Sequence, residues 1–286
     1  MKFTPQETKD GSYTFFSNEF NEAFHSFYGA KQEAETKFVI PTKLRELART
    51  QKKIQLLDIC YGLGYNSAAA LEAIWQTNPQ CHIELIALEI TADVPQSAIS
   101  YDLLQLWQAP IPLLLSTLAT DFQVNSSQLK AKLLIGDARL TIQQLCLQQW
   151  QADSIFLDPF SPPKCPQLWT VQFINLVARC LKPQGRLATY SCAAAVRTAF
   201  ALAGLKYGST PGVGRKSPGT VASFADVDLA PLSTQEQEHL QTRAAIPYQD
   251  ICLSNSSEAI KQLRQQQQSE SNLKSTSQWK KRWQKI

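Results

Sequence analysis

The chain has 286 residues, of which 44% are hydrophobic and 18% are charged, a composition typical of a globular protein that buries a substantial core. Its longest apolar run, residues 111–118, is shorter than the ~18 residues that a membrane-spanning helix needs. The first residues lack the apolar stretch of a secretory signal peptide, so we expect a cytoplasmic protein.

Cysteine and histidine form no recognisable metal motif. The seven cysteines contain no C-x-x-C pair and the three histidines are scattered, which predicts reduced thiols and no metal site. The net charge of +4 is concentrated near the end, where residues 243–286 hold eight basic and three acidic side chains. This segment is either a surface for phosphates or a solvated low-complexity extension.

Residues 1–50 are predicted to form an N-terminal lid, beginning with a loosely attached stretch over residues 1–13. Phe20, Phe24, Phe27 and Tyr28 recur at the spacing of one helical face, which predicts a helix packed on the core. Polar positions among and around them favour a second role as the wall of a substrate pocket. These positions are Asn18, Glu19, Glu22, His25, Gly29 and Glu33.

Residues 54–77 predict a buried strand, a glycine-broken turn and a helix. Asp58 interrupts the apolar strand where it would emerge from a parallel sheet. Gly62 and Gly64 allow the backbone to pass close to a ligand, and Asn66 stands where it can cap the helix. In open α/β sheets this crevice is the usual ligand site.

The acid that ends the next strand distinguishes between two possible ligands. A dinucleotide site has a third glycine and an acid about 20 residues later, but here Ser67 takes the glycine position and Glu89 lies 27 residues after Gly62. In S-adenosylmethionine sites the methionine end lies against the glycine turn, and an acid ending the second strand holds the ribose hydroxyls. The sequence therefore favours S-adenosylmethionine, with Glu89 as the ribose acid.

Strands and helices alternate through the middle of the chain. A first helix is predicted at 41–50, strands at 55–59, 83–89, 132–136, 154–158 and 186–190, and further helices at 66–77, 96–107, 141–149, 170–181 and 194–202. This succession predicts a mostly parallel, doubly wound sheet. A closing pair of strands at 207–210 and 220–224 is typical of the antiparallel edge hairpin of methyltransferases. We therefore predict an α/β, Rossmann-like class I methyltransferase domain over residues 51–228.

Two acids follow later strands. Asp137 ends the third strand beside the small Ala138, where its carboxylate can accept a hydrogen bond from the adenine amine, although a helix cap would look the same. Asp158 ends the fourth strand and opens a loop with four prolines within residues 159–166. A carboxylate there can hold an acceptor amine, orient it and take its proton, so we predict Asp158 as the catalytic residue.

The rim of the same crevice holds candidates for substrate contact. They are Phe160, Lys164, Trp169, Arg215 and Lys216. Lys164 and Trp169 could meet a nucleobase or phosphate, although a tryptophan here is also typical of a core anchor. Cys165 and Cys192 could serve C5 methylation of a pyrimidine, but neither has a partner base nearby in sequence, so structural roles are favoured.

Beyond the hairpin the periodic pattern fades. Residues 229–286 are predicted to be a polar, Gln-rich and basic tail that is partly disordered, since little in it can be buried. Trp279 and Trp283 lie four residues apart and could share one face of a short basic helix.

Several stretches, in this order, resemble a single family: FFSNEFNEAFHSFYGAKQEAETKFV, LLDICYGLGYNS, ALE, GDAR, IFLDPFSPPKCPQLW, LATYSCAAAVR and GLKYGSTPGVGRKSPG. They resemble the methyltransferase domain of the bifunctional tRNA 5-methylaminomethyl-2-thiouridine biosynthesis proteins, the MnmC-like family. The block DPFSPPKCPQLW corresponds to that family's D-G-F-x-P-x-K-x-P-x-x-W motif, with Pro159 in place of glycine.

The resemblance implies a methyl transfer from S-adenosylmethionine to the amino group of 5-aminomethyl-(2-thio)uridine at the tRNA wobble position. It places Gly62 and Gly64 at the methionine end, Glu89 at the ribose, Asp137 at the adenine and Asp158 at the substrate amine. The anticodon stem-loop of tRNA is the implied partner. The FAD-dependent oxidase domain of the bifunctional proteins is not in this sequence, so a separate FAD-dependent enzyme is expected to supply the substrate.

Other functions remain open at this point. One is a methyltransferase for a free small amine, and another is a polyamine aminopropyltransferase, although the G-G-G turn and second acid pair of that class are absent. A non-catalytic tRNA-binding scaffold is a third. The strand-end acids Glu89, Asp137 and Asp158 argue against the scaffold.

Overall fold

The computed structural model describes residues 3–212, 217–225 and 228–283. Its strands are β1 Gln6–Glu7, β2 Tyr13–Thr14, β3 Phe16–Ser17, β4 Glu22–Ala23, β5 Lys53–Ile59, β6 His82–Glu89, β7 Gln123–Asn125, β8 Leu129–Ile135, β9 Ala152–Leu157, β10 Leu181–Thr189, β11 Lys206–Thr210 and β12 Gly219–Ser223. Its α-helices are α1 Ala30–Ala34, α2 Leu44–Thr50, α3 Tyr65–Thr77, α4 Asp93–Ser100, α5 Ile111–Asp121, α6 Ala138–Leu147, α7 Val171–Arg179, α8 Ala194–Leu202, α9 Thr234–His239, α10 Ser257–Glu270 and α11 Thr276–Trp283. A π-helical turn covers Glu35–Val39, and 3₁₀ turns cover Pro166–Trp169 and Arg243–Ala245.

An eight-stranded sheet forms the centre of the molecule, in the order β11-β12-β10-β9-β5-β6-β8-β7. The pairs from β10 through β8 are parallel, while β12 and β11 on one side and β7 on the other run antiparallel. The predicted doubly wound sheet with an antiparallel edge hairpin is confirmed. Because the chain winds outwards in opposite directions from β5 and β9, the crevice at their carboxyl ends is the topological switch point.

Burial explains why the central strands stay together. Every residue of β9 is buried, as are the last four residues of β5, so both strands are covered on their two faces as parallel strands require. Apolar clusters lie on each face: one includes Phe38 and Phe156, and the other includes Phe173 and Phe200. No helix in the described ranges is long and apolar enough to cross a membrane.

The region between β6 and β8 differs from the prediction. The helix expected over residues 96–107 ends at Ser100, where the chain turns through Asp102 with a positive φ of 56°. A further helix, α5, follows from Ile111 with Pro112 in its first turn, where proline is compatible with helix geometry. The apolar run at 111–118 is therefore a core helix, and the short strand β7 adds an edge that the sequence pattern did not reveal.

The N-terminal segment also differs from the prediction. The aromatic residues at 20–28 do not share a helical face, because β3 and β4 form a hairpin that turns through Asn21 at φ 50°. Helical spacing was coincidental here, since Phe20 and Phe24 both contact Phe160 from the hairpin region, whereas Phe27 and Tyr28 are about half exposed. Within the predicted loose stretch, the described residues 3–13 are attached: β1 pairs with β2, and the side chains of Thr8 and Ser12 are buried.

The described part of the C-terminal segment, 228–283, is folded onto the domain. Ile260 of α10 is fully buried, and the Arg264 guanidinium stacks on the Tyr248 ring at 4.3 Å from its centroid. Glu236 of α9 accepts a 2.7 Å hydrogen bond from the buried Arg197 of α8. The expectation of a partly disordered tail thus does not hold for these residues, because a few anchors fix a mostly polar segment.

Candidate active site

A cavity of about 300 Å³ lies at the carboxyl ends of the central parallel strands. Its lining combines residues that follow four neighbouring strands with aromatic residues of the N-terminal hairpin. The predicted residues on its wall are Gly62, Glu89, Asp137, Ala138, Asp158 and Phe160. The sheet thus brings together acids that are far apart in the sequence, as the ends of parallel strands do.

The glycine turn after β5 has an unusual backbone. Gly62 and Gly64 have φ values of 57° and 86°, which glycine adopts readily. Cys60 has a φ of 68°, and because it carries a Cβ this conformation costs about 1 kcal/mol or more. Gly64 begins α3 but does not line the cavity; a Cβ on it would lie 2.5 Å from the Tyr61 hydroxyl. Gly62 lines the cavity, so its missing side chain leaves room for a ligand.

Glu89 ends β6 and links it to the glycine turn. Its Oε2 accepts a 2.9 Å hydrogen bond from the Gly62 amide, and its Oε1 accepts one of 2.9 Å from the Ile90 amide. Burial raises the pKa of Glu89, although these backbone donors partly oppose that effect. The carboxylate is therefore held rigidly on the cavity wall, with lone pairs left for ligand hydroxyls.

Three buried polar atoms in or beside the turn have no hydrogen-bond partner within the described ranges. They are Oδ1 of Asp58, the Tyr61 hydroxyl and Oδ1 of Asn66. The other oxygen of Asp58 accepts a 2.6 Å bond from the Ser67 hydroxyl, and burial raises the pKa of Asp58 to about 7. Neither Asp58 nor Asn66 lines the cavity, so these atoms lie behind the turn and do not face the ligand space. The cavity wall itself offers the Glu89 carboxylate as an acceptor, and the hydroxyl groups of S-adenosylmethionine are donors, so the lining fits that ligand.

Asp137 has two roles. It caps α6, where its Oδ1 accepts a 2.9 Å bond from the Arg139 amide, and it forms an ion pair with the Arg139 guanidinium at 2.7 Å. Arg139 in turn donates a 3.0 Å bond to the fully buried Asp250 of the C-terminal segment. Burial opposes ionisation of Asp137, but the bonds from Arg139 outweigh it and lower its pKa. Asp137 therefore both caps α6 and lines the cavity.

Asp158 follows β9 directly and is positioned from two sides. Its amide donates a 3.1 Å bond to Ile59 of β5, and its Oδ2 accepts a 2.8 Å bond from the Asn66 side chain. Asn66 does not line the cavity itself, so its observed role is to orient this carboxylate. The pair connects the glycine turn to the proposed catalytic acid.

The loop after Asp158 is fixed by three separate elements. Tyr190 donates a 2.9 Å bond to the Pro159 carbonyl, and Trp169 donates one of 2.9 Å to the Phe160 carbonyl. The Ser161 amide donates a 3.0 Å bond to Glu22 of β4. The rigid loop expected from its prolines is thus held in place by the sheet, the 3₁₀ turn and the N-terminal hairpin.

The predicted substrate residues are dispersed. Phe160 lies on the cavity wall and stacks on Phe20 with ring centroids 4.4 Å apart. Lys164 is exposed and outside the cavity lining. Trp169 is completely buried, which corrects its assignment: it supports Phe160 from behind and cannot contact a substrate in this conformation. Arg215 and Lys216 lie outside the described residues.

The two cysteines considered for C5 methylation have chemistry that opposes a nucleophilic role. Cys165 lines the cavity, but burial raises its pKa to about 12, and burial also raises the pKa of Cys192. Thiolate is the reactive form, so both side chains are protonated near pH 7.

A second, smaller cavity of about 140 Å³ adjoins the first and shares Phe24 and Asp158 with it. The rest of its wall is mostly polar and consists of Glu22, Ala23, His25, Glu33, Pro159, Ser161 and Tyr190. Several of these are lid positions that the sequence marks by polarity alone. Their meeting with Asp158 could not be predicted, because the hairpin that carries them reads as a helix.

Comparison with known proteins identifies the family. A family model described as S-adenosyl-L-methionine-dependent methyltransferase matches residues 101–225. The crystal structure of MnmC2 from Aquifex aeolicus is 31% identical, with a TM-score of 0.82, and the match covers 94% of this chain and 86% of that chain.

Two curated relatives extend this comparison. The tRNA 5-methylaminomethyl-2-thiouridine biosynthesis bifunctional protein MnmC of Acidovorax sp. (strain JS42) is 30% identical over 226 residues, which are 74% of this chain and 34% of that protein. An uncharacterised protein of Methanocaldococcus jannaschii is 27% identical over 262 residues, covering 89% of this chain and 69% of that one. The chain thus spans about a third of the length of the bifunctional protein.

The cavity and these relatives lead to the same assignment. A glycine turn and a strand-end acid on the cavity wall at the switch point fit S-adenosylmethionine, and the Aquifex structure is similar over nearly the whole chain. The chain belongs to the MnmC2-type family of S-adenosylmethionine-dependent methyltransferases.

Proposed function

We propose that this chain methylates the amino group of a 5-aminomethyl-(2-thio)uridine at the wobble position of tRNA. The observation that carries the proposal is the position of Asp158 on the wall shared by the two cavities. One cavity fits the methyl donor, and the other opens beside the same carboxylate. The name of the Acidovorax relative gives the nucleoside class.

The donor, when bound, supplies a methyl group on a positively charged sulfur. We assign Glu89 to the ribose hydroxyls, Asp137 and Ala138 to the adenine, and Gly62 to the methionine end. Asp58, Gly64 and Asn66 support the turn from behind.

Asp158 acts on the acceptor. A primary amine is mostly protonated near neutral pH, so it must lose a proton before its lone pair can attack the methyl carbon. The Asp158 carboxylate holds the ammonium by a charge-assisted hydrogen bond and directs nitrogen towards the first cavity. Asp158 then accepts one proton from the ammonium, which frees the nitrogen lone pair. The neutral amine attacks the methyl carbon, the C–N bond forms as the methyl–sulfur bond breaks, and the products are S-adenosylhomocysteine and a methylated nitrogen that carries the positive charge.

The Phe160 ring and the hairpin rings close the site. Phe20 stacks on Phe160, and Phe24 meets it edge-on at 5.0 Å. These apolar walls keep water from the reacting atoms and strengthen the interaction of Asp158 with a cation.

The proposed partner is the anticodon stem-loop of tRNA, and the reaction takes place where tRNA is modified, in the cytoplasm. A separate FAD-dependent enzyme is proposed to generate the aminomethyl arm.

Nucleoside analysis of tRNA from a deletion strain tests this function. In cells lacking the gene, we expect the 5-methylaminomethyl nucleoside to disappear and its 5-aminomethyl precursor to accumulate. A plasmid copy should restore the product, and a copy carrying Asp158→Asn should not. Unchanged wobble nucleosides in the deletion strain would contradict the proposal.

A further inference from the structure

Among the described residues, the charged groups that line the smaller cavity are all acidic. Glu22, Glu33 and Asp158 contribute three carboxyl groups, and no lysine or arginine lines it within the described part of the chain. His25 is the remaining titratable group with a basic nitrogen; burial lowers its pKa to about 4, so it is neutral near pH 7. A confined cavity with this charge attracts cations and repels anions.

Each of the two lid carboxylates is held by a hairpin or loop contact. Glu22 accepts hydrogen bonds from both the amide and the hydroxyl of Ser161. Glu33 of α1 accepts a 2.7 Å bond from the Ser26 amide through Oε2. An ionised carboxylate has about four acceptor sites, so both acids keep lone pairs for a further donor. These hydrogen bonds therefore orient the two carboxylates and leave some of their acceptor sites open for a ligand.

The size and connection of the cavity limit what it can hold. Its volume of about 140 Å³ is close to the ~150 Å³ that accommodates a benzene-sized ring. Phe24 lies between it and the larger cavity, with its ring 3.6 Å from the position that a Cβ on Gly62 would occupy. A ring placed here can therefore direct a short arm to Asp158, which borders both cavities.

We propose that this smaller cavity is the acceptor site, in which Glu22 and Glu33 select an arm that ends in a cationic amine. The inference rests on the function proposed above and specifies its substrate class. Asp158 is the reacting carboxylate, whereas Glu22 and Glu33 determine specificity. An arm that ends in a carboxylate is repelled by the three negatively charged groups. A neutral arm cannot form charge-assisted hydrogen bonds with them.

Binding of defined RNAs tests the inference without turnover. The protein is saturated with S-adenosylhomocysteine, and its affinity is measured for anticodon stem-loops whose wobble uridine carries an aminomethyl, a methyl or a carboxymethyl arm. We expect the wild type to bind the aminomethyl arm at least about 10-fold more tightly than the methyl arm, and the carboxymethyl arm most weakly.

The variants Glu33→Gln and Glu22→Gln keep an oxygen acceptor for Ser26 and Ser161 but remove the charge. Each is expected to reduce the preference for the aminomethyl arm several-fold, while leaving the affinity for S-adenosylhomocysteine unchanged. Glu46→Gln is the matched control, because Glu46 is exposed on α2 and lines neither cavity. If Glu22→Gln weakens S-adenosylhomocysteine binding by disturbing the Ser161 loop, Glu33→Gln alone decides.

Two failures are distinguishable. If the protein methylates tRNA but both variants keep the wild-type preference between arms, the acceptor-site inference is overturned and the proposed function stands. If the wild type neither binds any stem-loop nor methylates tRNA, the proposed function is overturned and the inference with it.

Discussion

Asp158 borders both cavities and is oriented by Asn66, which is why we propose it as the residue on which methyl transfer depends. Its place on the cavity wall could be predicted from a strand-end acid followed by a proline-rich loop. The partner could not, since Asn66 reads as a helix cap until the fold places it 2.8 Å from the carboxylate. Local pattern reveals residue type and strand position, whereas pairings across the sheet require the tertiary structure.

Replacement of Asp158 tests the residue-scale account. We expect Asp158→Asn to lower methyl transfer at least about 100-fold, because the amide cannot accept the proton. The affinity for S-adenosylhomocysteine should stay within about 3-fold of the wild-type value. The new asparagine can still accept the hydrogen bond from Asn66, and most of the proposed contacts with the ligand come from other residues. The exposed Asp121→Asn is the control. Turnover near the wild-type rate would remove Asp158 from the mechanism.

Asp58 gives the fold a pH dependence. Burial raises its pKa from an ordinary value of 3.8 to about 7. Between these two pH values the folded state keeps a proton that the unfolded state has released, so this residue makes the protein less stable as pH rises through that window. The free energy of unfolding of Asp58→Asn relative to wild type should therefore increase from pH 4 to pH 7, on the order of 3 kcal/mol.

Chemical denaturation of both proteins across this pH range provides the measurement. Subtracting the wild-type curve removes the opposite trend expected from His25, whose lowered pKa makes the protein more stable as pH rises from about 4 to its ordinary value of 6.5. A difference that does not change with pH would mean that Asp58 is ionised in the folded state.

At the scale of elements, the parallel strands of the central sheet were predictable because each contains a short apolar run, and β6, β8 and β9 lead into the acids Glu89, Asp137 and Asp158. The N-terminal hairpin was not. Its aromatic residues have helical spacing, and only contacts such as Phe20 on Phe160 show that they pack from a β-hairpin. The short strand β7 is equally hidden, because three residues, of which only Val124 is buried, are too few to show a period.

The glycine turn should be sensitive to a single methyl group. Gly64→Ala places a Cβ 2.5 Å from the Tyr61 hydroxyl at a φ of 86°, so we expect a loss of about 2 kcal/mol or more in unfolding free energy and weaker S-adenosylhomocysteine binding.

Gly204→Ala is the matched control for this change. Gly204 has a similar φ of 78°, but its nearest neighbour would be 4.0 Å away, so only backbone strain is added. Equal destabilisation by the two variants in thermal and chemical denaturation, with ligand binding intact in both, would contradict a special role for the turn.

At the scale of the whole molecule, ion pairs link the C-terminal segment to the wall of the larger cavity. Asp250 is buried against Arg139, which in turn forms an ion pair with Asp137 on the cavity wall. Composition alone predicted a loose tail, because glutamine-rich sequence has few apolar residues. The attachment depends on isolated anchors, and such anchors leave no periodic signal in a sequence.

Truncation of one anchor tests this attachment. Ile260 is fully buried, so Ile260→Ala should reduce the free energy of unfolding by about 2–4 kcal/mol and weaken S-adenosylhomocysteine binding by loosening Asp250. Ile251→Ala serves as the control because Ile251 is 76% exposed. Indistinguishable melting curves for the two variants would show that α10 adds no stability.

The most direct test of the central claim is transfer of a labelled methyl group by the purified protein. The protein is incubated with S-adenosylmethionine labelled in its methyl group and with tRNA from cells that lack this gene. The tRNA is then digested, and the nucleosides are separated and identified by their mass. The account predicts label in 5-methylaminomethyl-(2-thio)uridine. Label in no tRNA nucleoside, from protein that binds S-adenosylhomocysteine, would contradict it and direct attention to free small amines as acceptors.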